Sequence, residues 1–165
     1  MEQPFILIMG VCGSGKTTVG RLLADRLTGT FIDADDFHPP ANVKKLALGI
    51  ALTDADREPW LDRLARAIGD HKRGTVLVVA CSALKKAYRQ RIGVDACHLV
   101  YLKGARAEIA ARLQLRTDHF MSKELLSSQF DDLEEPAIAL AVSIASPPDE
   151  IVQYIVDTLP TFVCE

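Results

Sequence analysis

The stretch with the most specific chemistry is Gly10–Thr17, which reads Gly-Val-Cys-Gly-Ser-Gly-Lys-Thr and directly follows the apolar run Phe5–Met9. A glycine, four residues and then Gly-Lys-Thr form the pattern of the loop that binds nucleoside triphosphates. Its glycines allow a tight turn whose backbone N–H groups point inward and bind an anion. Lys16 then reaches the β- and γ-phosphates, while the Thr17 hydroxyl is a ligand for Mg²⁺. The predicted nucleotide contacts are Gly10, Val11, Cys12, Gly13, Ser14, Gly15, Lys16, Thr17 and Thr18.

The elements that position this loop alternate between strand-like and helix-like segments along the chain. The predicted strands are Phe5–Met9, Thr30–Asp33, Thr75–Cys81, His98–Leu102 and Leu140–Ile144. Helices are predicted between them and after the last one, at Asp149–Leu159, where apolar residues recur at helical spacing. This alternation predicts an α/β fold: a parallel sheet with helices on both faces. Ligands of such sheets lie beyond the carboxyl ends of the strands, so we expect the chemistry at that edge.

Length and composition favour one domain over residues 1–165, because the chain is long enough for a core and shows no linker or repeat. A net charge of −3 argues against a nucleic-acid partner. No run approaches the roughly 20 apolar residues of a membrane span, so no membrane partner is expected. The 4 cysteines lack metal-ligand spacing and indicate thiols in a reducing compartment. We therefore expect a cytoplasmic protein.

Three carboxylates and a histidine follow the second predicted strand, at Asp33, Asp35, Asp36 and His38. One carboxylate there could hold Mg²⁺ through water, and another could accept the proton of an attacking hydroxyl group. Taken alone, the stretch is better explained as a polar loop whose aspartates cap turns and helices. The phosphate loop, expected beside it in the sheet, favours the functional interpretation.

Arg57 lies near the start of a predicted helix. Because Pro59 is tolerated only in a first helical turn, we expect that helix to begin near Asp56. Arg57 can then reach an anionic substrate, although it could instead pair with acidic neighbours on the surface. We expect Trp60 in the core or in the wall of a pocket.

A second basic group follows the third predicted strand and contains Lys85, Lys86 and Arg89. Ser82 is positioned to cap the helix that carries them. A solvated basic face would explain these residues, but three cations just beyond a central strand suggest an anionic ligand. We expect Cys81 to be a small buried residue and not a nucleophile.

Arg112 and Arg116 lie four residues apart on a helix predicted over 105–116, and therefore on one face. A short polar stretch follows them, which predicts a lid at about 116–122. Arginines on a closing lid neutralise the transferring phosphoryl group and exclude water. The alternative is that both arginines are exposed and form ion pairs along the helix.

Together these residues resemble the gluconate kinases, the small gluconokinase branch of the shikimate-kinase-like P-loop kinases, over essentially the whole chain. The blocks that carry the resemblance are Gly10–Thr17, Asp33-x-Asp35-x-x-His38-Pro39 with Asn42, Leu52-Thr53-Asp54-x-Asp56-Arg57-x-Pro59-Trp60-Leu61, Cys81-Ser82-Ala83-Leu84-Lys85-Lys86-x-Tyr88-Arg89, His119-Phe120-Met121, and Leu125-Leu126-x-Ser128-Gln129-Phe130. The resemblance implies a three-layer P-loop kinase with a five-stranded parallel sheet, a lid and a helical substrate-binding region. It also implies ATP-dependent phosphorylation of D-gluconate to 6-phosphogluconate, with Mg²⁺, in a homodimer.

On the nucleotide side, the resemblance implies that Lys16 and the loop amides hold the β- and γ-phosphates. Thr17 and Asp33 organise Mg²⁺, directly or through water. Arg112 and Arg116 close over the phosphates.

On the acceptor side, the resemblance implies that Asp35 orients the 6-hydroxyl group and is the candidate base. The other predicted contacts with the sugar acid are His38, Arg57, Lys86, Arg89 and His119. Two alternatives stay open: a kinase for shikimate or another small polyol acid, and a nucleotide-binding module without catalysis.

Overall fold

The computed structural model describes residues 5–72, 74–116 and 122–159. Its strands are β1 (Phe5–Met9), β2 (Thr30–Asp33), β3 (Leu77–Ala80), β4 (Cys97–Lys103) and β5 (Leu140–Ser143). They form one five-stranded sheet in the order β2-β3-β1-β4-β5, and every neighbouring pair is parallel. The predicted five-stranded parallel sheet is therefore confirmed, with boundaries that differ by one or two residues.

Helices connect the strands and follow the last one. They are α1 (Lys16–Arg26), α2 (Pro40–Ala47), α3 (Asp54–Gly69), α4 (Lys86–Arg91), α5 (Arg106–Gln114), α6 (Lys123–Asp132) and α7 (Pro148–Thr158). Short 3₁₀ turns cover Ala34–Phe37 and Val94–Ala96. In the described ranges, no helix has the length and apolar character needed to cross a membrane.

Strand β1 is buried along its whole length, as its uninterrupted apolar sequence predicts for the centre of a parallel sheet. Successive side chains of a strand point to opposite faces, and β1 therefore contributes to two cores. Ile6 and Ile8 pack in one core with residues of α1, α5 and α7. Phe5, Leu7 and Met9 pack in the other core with residues of α3 and α4. The sheet is thus covered on both faces, in three layers.

The position of β1 also determines where a ligand can bind. Its neighbours are β3 on one side and β4 on the other. The chain leaves β1 through α1 towards β2 on one edge, while β4 and β5 lie on the opposite edge. A parallel sheet opens a crevice at the carboxyl end of such a strand, which is where residue 10 begins the phosphate loop.

Two predicted helix starts were wrong. Helix α3 begins at Asp54, two residues before the expected start, because Thr53 forms a capping box with Asp56. The Thr53 hydroxyl accepts the Asp56 N–H at 3.1 Å, and the Asp56 carboxylate accepts the Thr53 N–H at 2.9 Å. Pro59 therefore lies inside the helix, beyond its first turn.

Ser82 does not cap α4. The residue at the cap position is Lys85, and the helix begins at Lys86. Residues 81–84 instead form an irregular loop after β3, in which Ala83 adopts a left-handed conformation with φ of 45°.

Candidate active site

The phosphate loop folds as a turn between β1 and α1. Gly13 and Gly15 have φ of 81° and 94°, values that favour glycine, and Gly15 is the cap residue of α1. A Cβ at Gly10 would lie 2.7 Å from the Ser14 hydroxyl oxygen, so a side chain does not fit there. Ser14 is buried, and its hydroxyl has no hydrogen-bond partner among the described residues. The turn and this unpaired hydroxyl fit an anion site at the start of a helix.

Lys16 lies at the first position of α1, and its ammonium group donates to the Val11 carbonyl at 2.9 Å. The side chain therefore folds back across the loop. Thr17 and Thr18 follow in the first turn of α1, and both residues are exposed. The loop side of the site is thus assembled from one contiguous stretch of sequence.

Asp33 connects the phosphate loop to the acidic end of β2. Its Oδ2 accepts a hydrogen bond from the Thr17 hydroxyl at 2.7 Å. Its Oδ1 accepts the Asp35 N–H at 3.0 Å and caps the 3₁₀ turn that begins at Ala34. A hydroxyl and a carboxylate oxygen in contact at a helix start are hard ligands that suit Mg²⁺. The Asp35 side chain is 83% exposed and free to meet a substrate.

His38 lies against the indole ring of Trp60, with the ring centroids 4.2 Å apart and the planes 17° from parallel. Trp60 is buried and donates from Nε1 to the Ala34 carbonyl at 2.6 Å, which holds it beneath the acidic turn. The His38 Nε2 atom is 3.9 Å from the Asp35 carboxylate, and Nδ1 is 3.3 Å from the Asn42 amide nitrogen. Burial lowers the pKa of His38, and the nearby Asp35 charge only partly opposes this effect. Trp60 is thus a wall of the site.

Arg57 is the centre of a charged group that we call the acceptor cluster, formed by Asp54, Arg57, Lys85, Tyr88 and Asp132. Arg57 Nη1 donates to the Tyr88 hydroxyl at 2.9 Å and lies 3.1 Å from the Asp132 carboxylate. Lys85 Nζ lies 3.0 Å from the Asp54 carboxylate, which also accepts from the Tyr88 hydroxyl. The Asp54 hydrogen bond raises the pKa of Lys85 to about 12.

The acceptor cluster also changes the pKa of its other members. The bonds from Tyr88 and Lys85 lower the pKa of Asp54, whereas burial and the bond to Asp54 raise the pKa of Tyr88. Both cations of the cluster thus have acidic partners. The Arg57 side chain is only 12% exposed, so it is more than a solvated surface residue.

Arg89, predicted to contact the substrate, is buried and binds the main chain instead. Its Nη1 donates to the Ala83 carbonyl at 2.8 Å and the Leu84 carbonyl at 3.0 Å, while Nη2 donates to the Glu134 carbonyl at 3.0 Å. Burial lowers the pKa of Arg89. These contacts favour a role in holding the loop after β3 over direct contact with a substrate.

Lys86 and Cys81 flank the same loop. The Lys86 side chain is exposed, and its backbone N–H donates to the Glu134 carboxylate at 2.7 Å. Cys81 is fully buried, and burial raises the pKa of its thiol to about 12. The prediction that Cys81 is buried is thus confirmed.

The predicted lid arginines lie at the end of α5. The Arg112 guanidinium donates to the Ile144 carbonyl and lies 3.4 Å from the Glu108 carboxylate, the helical ion pair that was the alternative interpretation. Arg116 is exposed. Burial raises the pKa of the Cys12 thiol, and the positive charges of Lys16 and Arg116 partly oppose this effect. His119 and most of the predicted lid lie outside the described residues.

Comparison with known proteins places this geometry in a family. The family model described as shikimate kinase matches residues 12–160. The thermosensitive gluconokinase of Escherichia coli (strain K12) is 46% identical over 139 residues, covering 82% of this chain and 74% of that protein. The gluconokinase of Gluconobacter oxydans (strain 621H) is 44% identical over 142 residues, covering 82% of this chain and 78% of its own. This chain belongs to the gluconokinases of the shikimate kinase family.

Solved structures agree with this assignment. The gluconokinase from Sinorhizobium meliloti 1021 has a TM-score of 0.86 and 38% identity, covering 97% of this chain and 93% of its own. The Mycobacterium tuberculosis APS kinase CysC has a TM-score of 0.71 but only 18% identity, covering 96% of this chain and 98% of its own, so it supports the fold alone. The predicted P-loop kinase fold of this chain is therefore confirmed.

The structure of this chain also brings into the site residues that were not predicted from the sequence. The Gln129 side chain accepts the Cys12 N–H of the phosphate loop at 2.7 Å. Tyr88 and Asp132 hold Arg57, and Glu134 holds the loop after β3. Tyr88 and Gln129 lie inside the sequence blocks that carried the family resemblance, so those blocks could have identified them as site residues. Asp132 and Glu134 belong to an acidic stretch whose sequence gives no such signal.

Proposed function

We propose that this gluconokinase-family chain transfers the γ-phosphoryl group of ATP to the 6-hydroxyl group of D-gluconate, forming 6-phospho-D-gluconate and ADP. The observation that carries the proposal is that Asp33 accepts hydrogen bonds from both the Thr17 hydroxyl of the phosphate loop and the backbone N–H of Asp35, whose carboxylate is exposed. Arg57 is a cation suited to an acid substrate, and it lies on α3 one helical turn before Trp60, the residue that stacks on His38. The names of relatives 37–46% identical to this chain give the substrate.

The nucleotide side holds the triphosphate through the loop amides and Lys16. Thr17 and Asp33 are the residues that would hold Mg²⁺, and their paired oxygens fit this ion. Mg²⁺, when bound, neutralises charge on the β- and γ-phosphates. Arg112 and Arg116 add positive charge over the phosphates, with the lid at about 116–122. Such arginines stabilise the charge that spreads over the transferring group.

Asp35 is the residue that meets the acceptor hydroxyl group. Asp33 accepts the backbone N–H of Asp35 and so fixes the Asp35 backbone. The exposed Asp35 carboxylate can accept the hydroxyl proton as the new P–O bond forms. In a largely dissociative transfer, positioning of the nucleophile is the larger part of this contribution. His38 is held beside Asp35 by Trp60 and lines the same position.

Arg57 binds the carboxylate group of gluconate, and Lys86 and His119 are further contacts. Arginine suits a carboxylate because its planar guanidinium can form two parallel hydrogen bonds. The contacts of Arg89 assign it to the support of this region, since its guanidinium is occupied by main-chain carbonyls. The negative charge of gluconate explains why the acceptor end is built around cations.

The resemblance extends the proposal to the cell and the assembly: a cytoplasmic, single-domain protein that forms a homodimer. Light scattering on the purified chain tests the assembly. A mass of twice 18.1 kDa supports the dimer, and the mass of one chain contradicts it.

ADP release coupled to a spectroscopic signal tests the function. With Mg-ATP we expect release that depends on gluconate, and none beyond background without an acceptor. Asp35→Asn should lower kcat by roughly 10²–10⁴-fold, the usual contribution of general acid–base catalysis. Asp36→Asn is the matched control, because Asp36 is the exposed neighbour in the same turn. Gluconate-independent release, or equal effects of the two variants, would contradict the proposal.

A further inference from the structure

One face of helix α6 contacts both halves of the proposed active site. Gln129 accepts the backbone N–H of Cys12 in the phosphate loop at 2.7 Å. Asp132, three residues later and so on the same face, lies 3.1 Å from Arg57 and 3.6 Å from Lys85. Two side chains within one helical turn thus contact the nucleotide end and the acceptor end.

The segment directly after α6 strengthens the contact with the acceptor end. The Glu134 N–H donates to the Leu84 carbonyl at 2.9 Å, and its carboxylate accepts the Lys86 N–H at 2.7 Å. Its own carbonyl accepts a hydrogen bond from Arg89 at 3.0 Å. The loop after β3 and the start of α4 are therefore fixed to the segment that directly follows α6, through one backbone hydrogen bond and two hydrogen bonds between a side chain and the main chain.

The polar contacts of Arg57 are concentrated on one nitrogen of its guanidinium group. Its closest approach to Tyr88, to Asp132 and to Asp54 is made through Nη1 in each case. Asp132 and Arg57 are 22% and 12% exposed, so solvent screens this pair less than a surface pair. Asp132 thus holds one nitrogen of the guanidinium and orients the rest of the group.

We propose that Gln129 and Asp132 are positioning residues, and that α6 is a rigid spacer that sets the distance between the phosphate loop and Arg57. The inference rests on the proposed function, because Arg57 must bind the acceptor. Phosphoryl transfer requires the reacting atoms at about 3–3.5 Å, and an error of about 1 Å can lower the rate ~100-fold. Neither residue needs to touch either substrate for this role.

A double-mutant cycle tests the spacer. Gln129→Met keeps the side-chain length without the acceptor oxygen, and Asp132→Asn removes the charge. Asp131→Asn is the matched control, since it removes the charge of the exposed neighbour. We expect each single variant to lower kcat about 10-fold or more at unchanged secondary structure, with Asp131→Asn unaffected. The double variant should lose no more kcat than the more impaired single variant. Once either contact of α6 is broken, the helix no longer sets the distance between the two ends of the site, so breaking the other contact has no further effect.

Two outcomes would overturn the spacer. Losses that multiply in the double variant would mean that the two contacts act independently, and an unchanged kcat in either single variant would mean that its contact has no positioning role. If the chain transfers phosphate to an acid other than gluconate, the proposed function fails but the cycle is run unchanged with that acid.

Binding of the non-hydrolysable analogue AMP-PNP, measured calorimetrically without any acceptor, is a second test that needs no turnover. We expect Gln129→Met to weaken it several-fold and Asp132→Asn to leave it unchanged. A Gln129→Met protein that binds AMP-PNP as the wild type does would overturn the proposal, whatever the acceptor.

Discussion

The two ends of the site are built in different ways. The nucleotide end comes from one contiguous stretch, Gly10–Thr17, whose backbone geometry forms the binding surface. Within the described part of the chain, the Lys16 ammonium group donates to a loop carbonyl at 2.9 Å and has no acidic partner. The acceptor end comes from α3, α4 and α6, and each cation of its cluster already has an acidic partner. A phosphate site can therefore be recognised from a local motif, whereas an acid site depends on which charges the fold leaves available.

This charge pairing explains why counting basic residues along the sequence overestimates how many of them can bind the acceptor. Among the basic residues after β3, Lys85 is paired with Asp54 and Arg89 is bound to carbonyls. Of Lys85, Lys86 and Arg89, only Lys86 is exposed. Arg57 combines an acidic partner with a guanidinium held mainly through one nitrogen, and it is the cation that we assign to the substrate.

Lys16→Met should have the largest effect on turnover. The variant removes the only side-chain cation of the phosphate loop, and a cation that stabilises the transferring phosphoryl group contributes about 10³- to 10⁵-fold in related chemistry. The fold should be retained, because the ammonium group forms a single hydrogen bond inside the loop. Coupled ADP release and thermal unfolding measure the two effects. A variant with most of its activity would break the assignment of the nucleotide end.

Arg57→Met tests the acceptor end. Hydrogen bonds to a charged group contribute about 1.5–3 kcal/mol, so we expect KM for gluconate to rise ~10- to ~100-fold. KM for ATP should stay unchanged. Arg63→Met is the control, because Arg63 is exposed on the same helix. Equal changes of both KM values would show that the two ends are not separate recognition sites.

Arg89→Met should change stability more than recognition. Three main-chain carbonyls lose the hydrogen bond from Arg89, although the Leu84 carbonyl keeps the Glu134 N–H, and a lost buried hydrogen-bond partner costs about 1–3 kcal/mol. We expect the free energy of unfolding to fall by about 2 kcal/mol, measured by urea titration. Binding of AMP-PNP should be unchanged. A large rise in KM for gluconate at wild-type stability would instead return Arg89 to the set of substrate ligands.

The smallest effect concerns His38 and pH. Burial lowers its pKa in the folded chain below the usual 6.5, so the unfolded chain takes up the proton first as the pH falls. The stability that depends on neutral His38 is complete above pH 6.5 and is lost as the pH falls from there towards the folded pKa. His38→Gln should therefore lose less stability than the wild type between pH 8 and pH 5. Urea titrations across this range measure it, and parallel curves would contradict the burial argument.

The sequence predicted the sheet and the phosphate loop because both depend on local pattern. Phe5–Met9 is apolar throughout, and only glycine suits the left-handed positions 13 and 15. Asp33 and Asp35 followed from the rule that parallel strands end at a common edge. These features require no knowledge of distant contacts.

The remaining features depend on long-range contacts, which the sequence did not reveal. Arg89 was predicted to bind a substrate because its charge was visible, but the carbonyls that it binds become its neighbours only in the fold. The contact from Gln129 to Cys12 joins residues 117 positions apart. The start of α3 was placed two residues late for a local reason, since it was inferred from Pro59 alone and the Thr53–Asp56 capping box begins the helix at Asp54.

The most direct test of the account is a competition among acceptors. The purified chain is supplied with Mg-ATP and an equimolar mixture of gluconate, shikimate and glucose, and the phosphorylated products are identified by mass spectrometry. The account predicts 6-phosphogluconate as the dominant product, because the acceptor end binds an acid and Asp35 meets a terminal hydroxyl group. Phosphoshikimate or a glucose phosphate as the main product would contradict the assignment of Arg57 and its cluster, and no phosphorylated acceptor at all would contradict the kinase.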